Sequence, residues 1–244
     1  MVKFGSARIS ENNSVHGQPG DQTSYEVMEQ PAYWHRNGWR GVRAKDPQKA
    51  VLIAFVMICA CRSNLVGYSQ PQRNAIFWWD SKSLTQADCS TLVPYCVIKA
   101  GIDVNINDIW TGNLIERLLE TGQFDTFEVT SLEALCTGDI LVDGNLTSHT
   151  VVVTEGNTRP YGNIFDVAEP TLSVGSKGAE VRKLQAFFNE YGDGCTVDGD
   201  YEFETFCKVC VFQSLMGIKV DGIYGRDTKD MAVFFLWSRN VRAV

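Results

Sequence analysis

A thiol, an imidazole and a carboxylate can together cut an amide bond, and the chain offers them at Cys89, His149 and Asp166. A catalytic cysteine works as its thiolate, and the positive end of a helix favours that form. In "QADCSTLVPYCVIKAG" (86–101), Cys89 follows Asp88, a capping residue type, where an apolar helix begins. Amide groups at the same helix start can also hold a developing oxyanion. Taken alone, Cys89 equally fits a buried small hydrophobe and Asp88 a simple cap. The base is expected at His149, which opens "HTVVVT" and by strand alternation shares a face with Val151 and Val153. That apolar face is the one expected to pack on the nucleophile helix, with the imidazole at its rim. His16 and His35 begin no strand. A hairpin of 149–154 with 163–168, Thr154 opposite Asn163, would set Asp166 diagonal to His149. Asn163 and Glu155 are alternatives for that third member, because a one-residue slip moves Asp166 to the other face.

Several elements must position these groups. "KDPQKAVLIAFVMICACRSN" reads as a helix capped by Asp46 with Pro47 at its first position. The Cys89 segment is a second helix closed by Gly101, with Pro94 an awkward interior residue. "NLIERLLETG" (113–122) is a third. "TGDILVDG", "SHTVVVTEG" and "YGNIFDVAEP" follow as short β-branched runs between Gly and Asn turns. A helical first half and a strand-rich second half predict an α+β fold over residues 1–168.

From about residue 169 to 244 the texture changes. "SKGAEVRKLQAFFNEYG" places Val181, Leu184, Phe187 and Phe188 on one helical face. "VDGDYEFET" and "VDGIYGRDT" then repeat with Val197 and Val220 in register, Glu202 of the first copy standing where the second has Gly225. A small bundle of about three helices with polar turns is expected. Asp198, Asp200, Glu202 and Glu204 alternate like calcium ligands but lack the spacing and central glycine of a calcium loop, so no metal is expected. Cys207 and Cys210 form a CxxC at helical spacing with no second pair, which reads as core.

A net charge of −7 argues against wholesale nucleic-acid binding. The most apolar run, "AVLIAFVMICAC", is 12 residues long, too short for a bilayer span. The N-terminal stretch has no apolar core for a secretory signal. Synthesis in a cytosol is therefore expected, with the eight cysteines mostly reduced.

These motifs resemble a family. "DCSTLV" followed downstream by "GDIL" and "SHTVVV" looks like the NlpC-type, papain-like cell-wall cysteine peptidases, with CHAP amidase/peptidases as near neighbours. The resemblance implies Cys89 as nucleophile, His149 as base and a polar third residue on the next strand, where this chain has Asp166. "GQPGDQTSYEV" (17–27), "WRGVRAKDP" (39–47) and "VGYSQPQR" (66–73) further resemble endolysin catalytic domains from phages of Gram-positive bacteria. Two features depart from the pattern: Pro94 lies inside the nucleophile helix, and "DGNLTSH" stands where a glycine usually precedes the histidine. The C-terminal segment resembles the three-helix, two-repeat peptidoglycan-binding domain, with Glu202 in place of its usual glycine.

The resemblance implies a monomeric two-domain enzyme that acts on peptidoglycan without cofactor, metal, nucleic acid or membrane insertion. It would be made in the host cytoplasm and would cleave an amide of the stem peptide, as an endopeptidase or as an N-acetylmuramoyl-L-alanine amidase. An inert wall-binding protein, or an acyltransferase on the same pair, are the rival classes. Gln18, Asp21, Gln22, Tyr68, Arg73 and Asp88 are expected to line the cleft, although polar loop residues also serve turns. Trp78 and Trp79 are candidates for stacking on sugar, or for core.

Overall fold

The computed structural model describes residues 2–80, 82–157, 159, 168 and 171–241. It divides into two compact units, Met1–Tyr161 and Gly162–Val244.

In the first unit, strands β1 (Lys3–Ala7), β2 (Val27–Pro31) and β3 (Trp39–Ala44) precede helix α1 (Pro47–Arg62). A short parallel pair, β4 (Val66–Tyr68) and β5 (Thr85–Ala87), flanks a 3-10 turn at Arg73–Trp78 and leads into α2 (Cys89–Lys99). Then come α3 (Thr111–Glu120), β6 (Phe124–Glu128), β7 (Ile140–Asp143) and β8 (Thr150–Glu155). The six long strands form one antiparallel sheet in the order β2-β1-β8-β7-β3-β6. The unit is α+β, but its first half is not simply helical. Three strands before α1 escape sequence reading because central β1 is buried on both faces, so "KFGSA" shows no polar alternation.

The helices begin where their caps dictate. The Asp46 carboxylate accepts from the Gln48 amide at 2.8 Å, and Pro47 fills the first position, where no amide is needed. Pro94 sits inside α2, where it withholds the bond to the Ser90 carbonyl. No helix among the described residues is long and apolar enough to cross a membrane.

The two faces of the sheet have different covers. A Cβ on Gly5 of β1 would meet Met57, Thr154 and Cys61, so α1 lies over the face carrying Gly5 and Thr154. The other face buries Phe4, Trp39, Val129, Leu135, Leu141, Val151 and Val153 in a cluster that contains no residue of α1 or α2. The Val151/Val153 face is therefore not the helix-packed face expected from the sequence. Alternation groups residues on a face but does not say which face the helices take.

In the second unit, α4 (Ala179–Tyr191), α5 (Phe203–Leu215) and α6 (Arg226–Val241) are joined by two VDG turns. Each turn is read by a buried glutamine on the helix before it. The Gln185 side chain donates to Asp198 (2.7 Å), to the Asp200 carbonyl and to the Thr205 hydroxyl, and accepts from the Gly199 amide. Gln213 repeats this with Asp221, the Ile223 carbonyl, Thr228 and the Gly222 amide. Tyr201 of the first copy is fully buried and donates its hydroxyl proton to the Gly222 carbonyl at 2.8 Å, so the two turns are stitched together. Asp198 and Asp200 thus hold turns: Asp198 caps the Asp200 amide and Asp200 pairs with Lys177.

Candidate active site

Asp88 starts α2. One of its oxygens accepts from the Thr91 amide and the Ser90 hydroxyl, each at 2.9 Å, and Thr91 Oγ1 accepts in return from the Asp88 amide. The other oxygen takes the Arg73 guanidinium at 3.1 Å, which draws Arg73 to within 3.5 Å of Ser90 Oγ. Asp88 is buried, so it acts as cap and anchor here, not as part of an open cleft.

Directly behind this cap, Cys89 is only 7 % exposed. The backbone at Thr150 and Ser90 and the side chain of Thr111 act on the sulfur to favour its thiolate. Burial, reinforced by the charge of Asp88, nevertheless pushes the thiol up to about 12. The helix-terminus effect expected to lower it is outweighed by desolvation.

The His149 ring is half-buried on the Trp39 side of the sheet, its centroid 6.4 Å from that indole, with His35 on the same indole at 5.2 Å. Nε2 lies 3.5 Å from Ser6 Oγ. Burial, then the charges of His35 and Arg8, push the imidazole down to about 4 against the pull of Asp143. Among the described residues no hydrogen bond joins Cys89 to His149. What they share is Thr150, whose backbone acts on the sulfur and whose preceding residue carries the ring.

Asp166 and Asn163 lie outside the described residues. Among the described residues, β8 pairs with β1 on one edge and with β7 on the other. Glu155 pairs with Lys3 at 2.7 Å. Near the ring, the structure supplies Asp143, which is fully buried. Its Oδ2 accepts from the amides of Thr147, Ser148 and His149 (2.9, 2.7 and 3.2 Å), and its Oδ1 from the Asn145 amide and the Asn37 side chain. Burial would raise this carboxyl, yet these donors hold it well below the usual range. The sequence signal was present: Asp followed by Gly-Asn in "VDGNLTSH" is an Asx-turn pattern. Ser6 and Thr111 carried no such signal.

The expected substrate contacts divide in two. Asp21 accepts from the Thr23 amide at 2.9 Å and from the Val27 amide at 3.4 Å. Gln22 donates its amide to buried Glu26 and its side chain to the carbonyls of Pro19 and Gly20. These two hold their own loop, while Gln18 is exposed and its amide meets Glu11. The loop docks on β4 and β5 through the Gly20 amide and the Thr85 carbonyl. Gly67 must be glycine there, since a Cβ would lie 2.3 Å from the Gly20 carbonyl oxygen. Tyr68 instead lies near the thiol, and Arg73 sits on Asp88 at the start of α2. The Tyr68 hydroxyl is pushed up to about 12, by burial first, and also feels the charges of Cys89 and Asp88. Trp79 is core, with its Nε1 donating to the Ser83 carbonyl, whereas Trp78 is 87 % exposed.

Residues 4–160, which contain this whole constellation, match the endolysin-like domain family. The chain belongs to that family. Residues 177–231 of the second unit match a peptidoglycan binding domain. A solved structure, the SleB N-terminal domain, is 31% identical over 28% of this chain and 93% of its own, with a TM-score of 0.26. No curated protein matches. An endolysin-like unit joined to a peptidoglycan-binding one makes bacterial peptidoglycan the partner, for hydrolysis or binding.

Proposed function

We propose that the endolysin-like unit is a papain-like hydrolase in which Cys89 attacks an amide carbonyl of the stem peptide, as an endopeptidase. The observation that carries this reading is Cys89's position as the first residue of α2 behind the Asp88 cap, beside the backbone of Thr150, the residue after His149. Both groups rest neutral at pH 7. The proton therefore passes from thiol to ring as the sulfur attacks, without a preformed ion pair. The amides of Ser90 and Thr150 are placed to stabilise the oxyanion. The ring then returns the proton to the departing amine, and water releases the acyl group from the sulfur. Asp143 holds the backbone at His149, Ser6 Oγ lies beside the ring, and Arg73, held by Asp88 near Ser90, presents a cation for a substrate carboxylate. The second unit holds the enzyme on its insoluble substrate and raises the local concentration of cleavable bonds.

One observation favours a second reading. A thiol 7 % exposed and without a bond to the imidazole also suits a wall-binding protein with an inert first unit. Zymograms separate the two. Cys89→Ala and His149→Ala should each abolish clearing while retention on sacculi persists. Clearing that survives both substitutions ends the hydrolase reading. Mass spectrometry of digested sacculi identifies the new terminus, and a freed lactyl group on the muramic acid would make the enzyme an amidase.

A further inference from the structure

The two VDG repeats of the second unit are not equivalent. At the second repeat an open cavity of about 260 Å³ is lined by Ile218, Lys219, Ile223, Gly225, Arg226 and Asp227, with Gln213 and Asp221 at its back. Gly225 is the residue that Glu202 replaces in the first repeat. A Cβ on Gly225 would meet nothing within 4 Å, so a side chain there would extend into open space at the cavity. The back wall is rigid: Gln213 is 1 % exposed and its amide bonds to both ends of the turn.

The lining indicates what fits. It has no aromatic ring, the surface on which a sugar face stacks. It has instead two branched aliphatic side chains beside charges of both signs, with Lys219 reaching Asp221 at 3.3 Å and 82 % exposed. The volume lies just below the range of about 300 Å³ upward for small-molecule clefts, so a short segment is accommodated and a run of sugar rings is not.

We infer that the second-repeat cavity seats a short stretch of stem peptide, with methyl side chains against Ile218 and Ile223 and its carboxylates and amine against Lys219, Arg226 and Asp227. This rests on the second unit being the wall-binding element. It assigns recognition to the peptide, not the glycan, and to one repeat of the two.

The test uses the full chain carrying Cys89→Ala, so that sacculi stay intact. A synthetic stem pentapeptide should displace it from sacculi, whereas peptide-free glycan strands should not. Gly225→Glu, which copies the first repeat, should weaken peptide binding by about tenfold or more in titration calorimetry. Glu202→Gly should leave it unchanged. Lys219→Glu, on a side chain too exposed to disturb folding, should weaken it several-fold and covers the case in which Gly225→Glu melts early. Glycan strands competing as well as the peptide, or full peptide affinity in a folded Gly225→Glu variant and in Lys219→Glu, would overturn the assignment. Loss of all retention by the parent would instead defeat the wall-binding reading beneath it.

Discussion

At pH 5.5 an imidazole with the ordinary value of 6.5 is about 90% protonated, while one held at about 4 is ~97% neutral. His149 belongs to the second kind, because burial, His35 and Arg8 all disfavour its cation. If neutral His149 takes the proton from Cys89, kcat/KM at pH 5.5 should stay close to its neutral-pH value, with half-activity near pH 4. An unperturbed histidine would leave roughly one-tenth. The shift, 6.5 − 4 = 2.5, corresponds to about 3 kcal/mol. The same amount acts on stability. Below pH 6.5 the unfolded chain takes up a proton that the folded chain refuses, so the fold weakens as pH falls from 6.5 toward 4. His35→Ala removes one of the opposing charges and should move the acid limb of activity upward. Amine release from sacculi between pH 4 and 8, combined with an NMR titration of the ring, measures both. A ring that titrates near 6.5, or an acid limb there, would refute the reasoning.

Two further perturbations probe the frame around the site. Asp143→Ala removes the acceptor of four backbone amides at a fully buried position, and a loss of about 3–5 kcal/mol in urea unfolding is expected. Because that carboxyl is depressed in the fold, its contribution is present above about pH 4 and fades as the pH drops further, so parent and variant should converge in acid. Arg43→Met strands Asp139, which is 1 % exposed and held by Arg43 through two bonds of 2.7 Å. The loss should be about 3–5 kcal/mol, and adding Asp139→Leu should recover much of it. Equal melting of Arg43→Met and parent would mean that the pair is no more than a surface contact.

Local chemistry was legible in the sequence wherever a residue acts on its own neighbours. Asp46 and Asp88 cap the helices that follow them, and the VDG turns recur where the repeat placed them. Long-range chemistry was not. The strands of the first 45 residues are recognisable only once β1 is seen between β2 and β8, since a strand buried on both sides loses its alternation. Cys89 and His149 were readable as residue types, yet their surroundings depend on which sheet face the helices choose. Desolvation of the thiol likewise follows from packing, which spacing does not encode. Asp143 is legible in the sequence as a turn former, but its bond to the His149 amide depends on the turn that closes after it.

Strand β1 lies between β2 and β8, so residues 3–7 find one of their two partners only after residue 155, about 150 residues later, has been made. Until then its inner edge offers unpaired amides and carbonyls to any passing chain. The first unit is thereby obliged to finish folding late, at a pace governed by a contact between strands far apart in sequence rather than by its helices. Anything that slows emergence of that last strand lengthens the interval in which the nascent chain is vulnerable to aggregation.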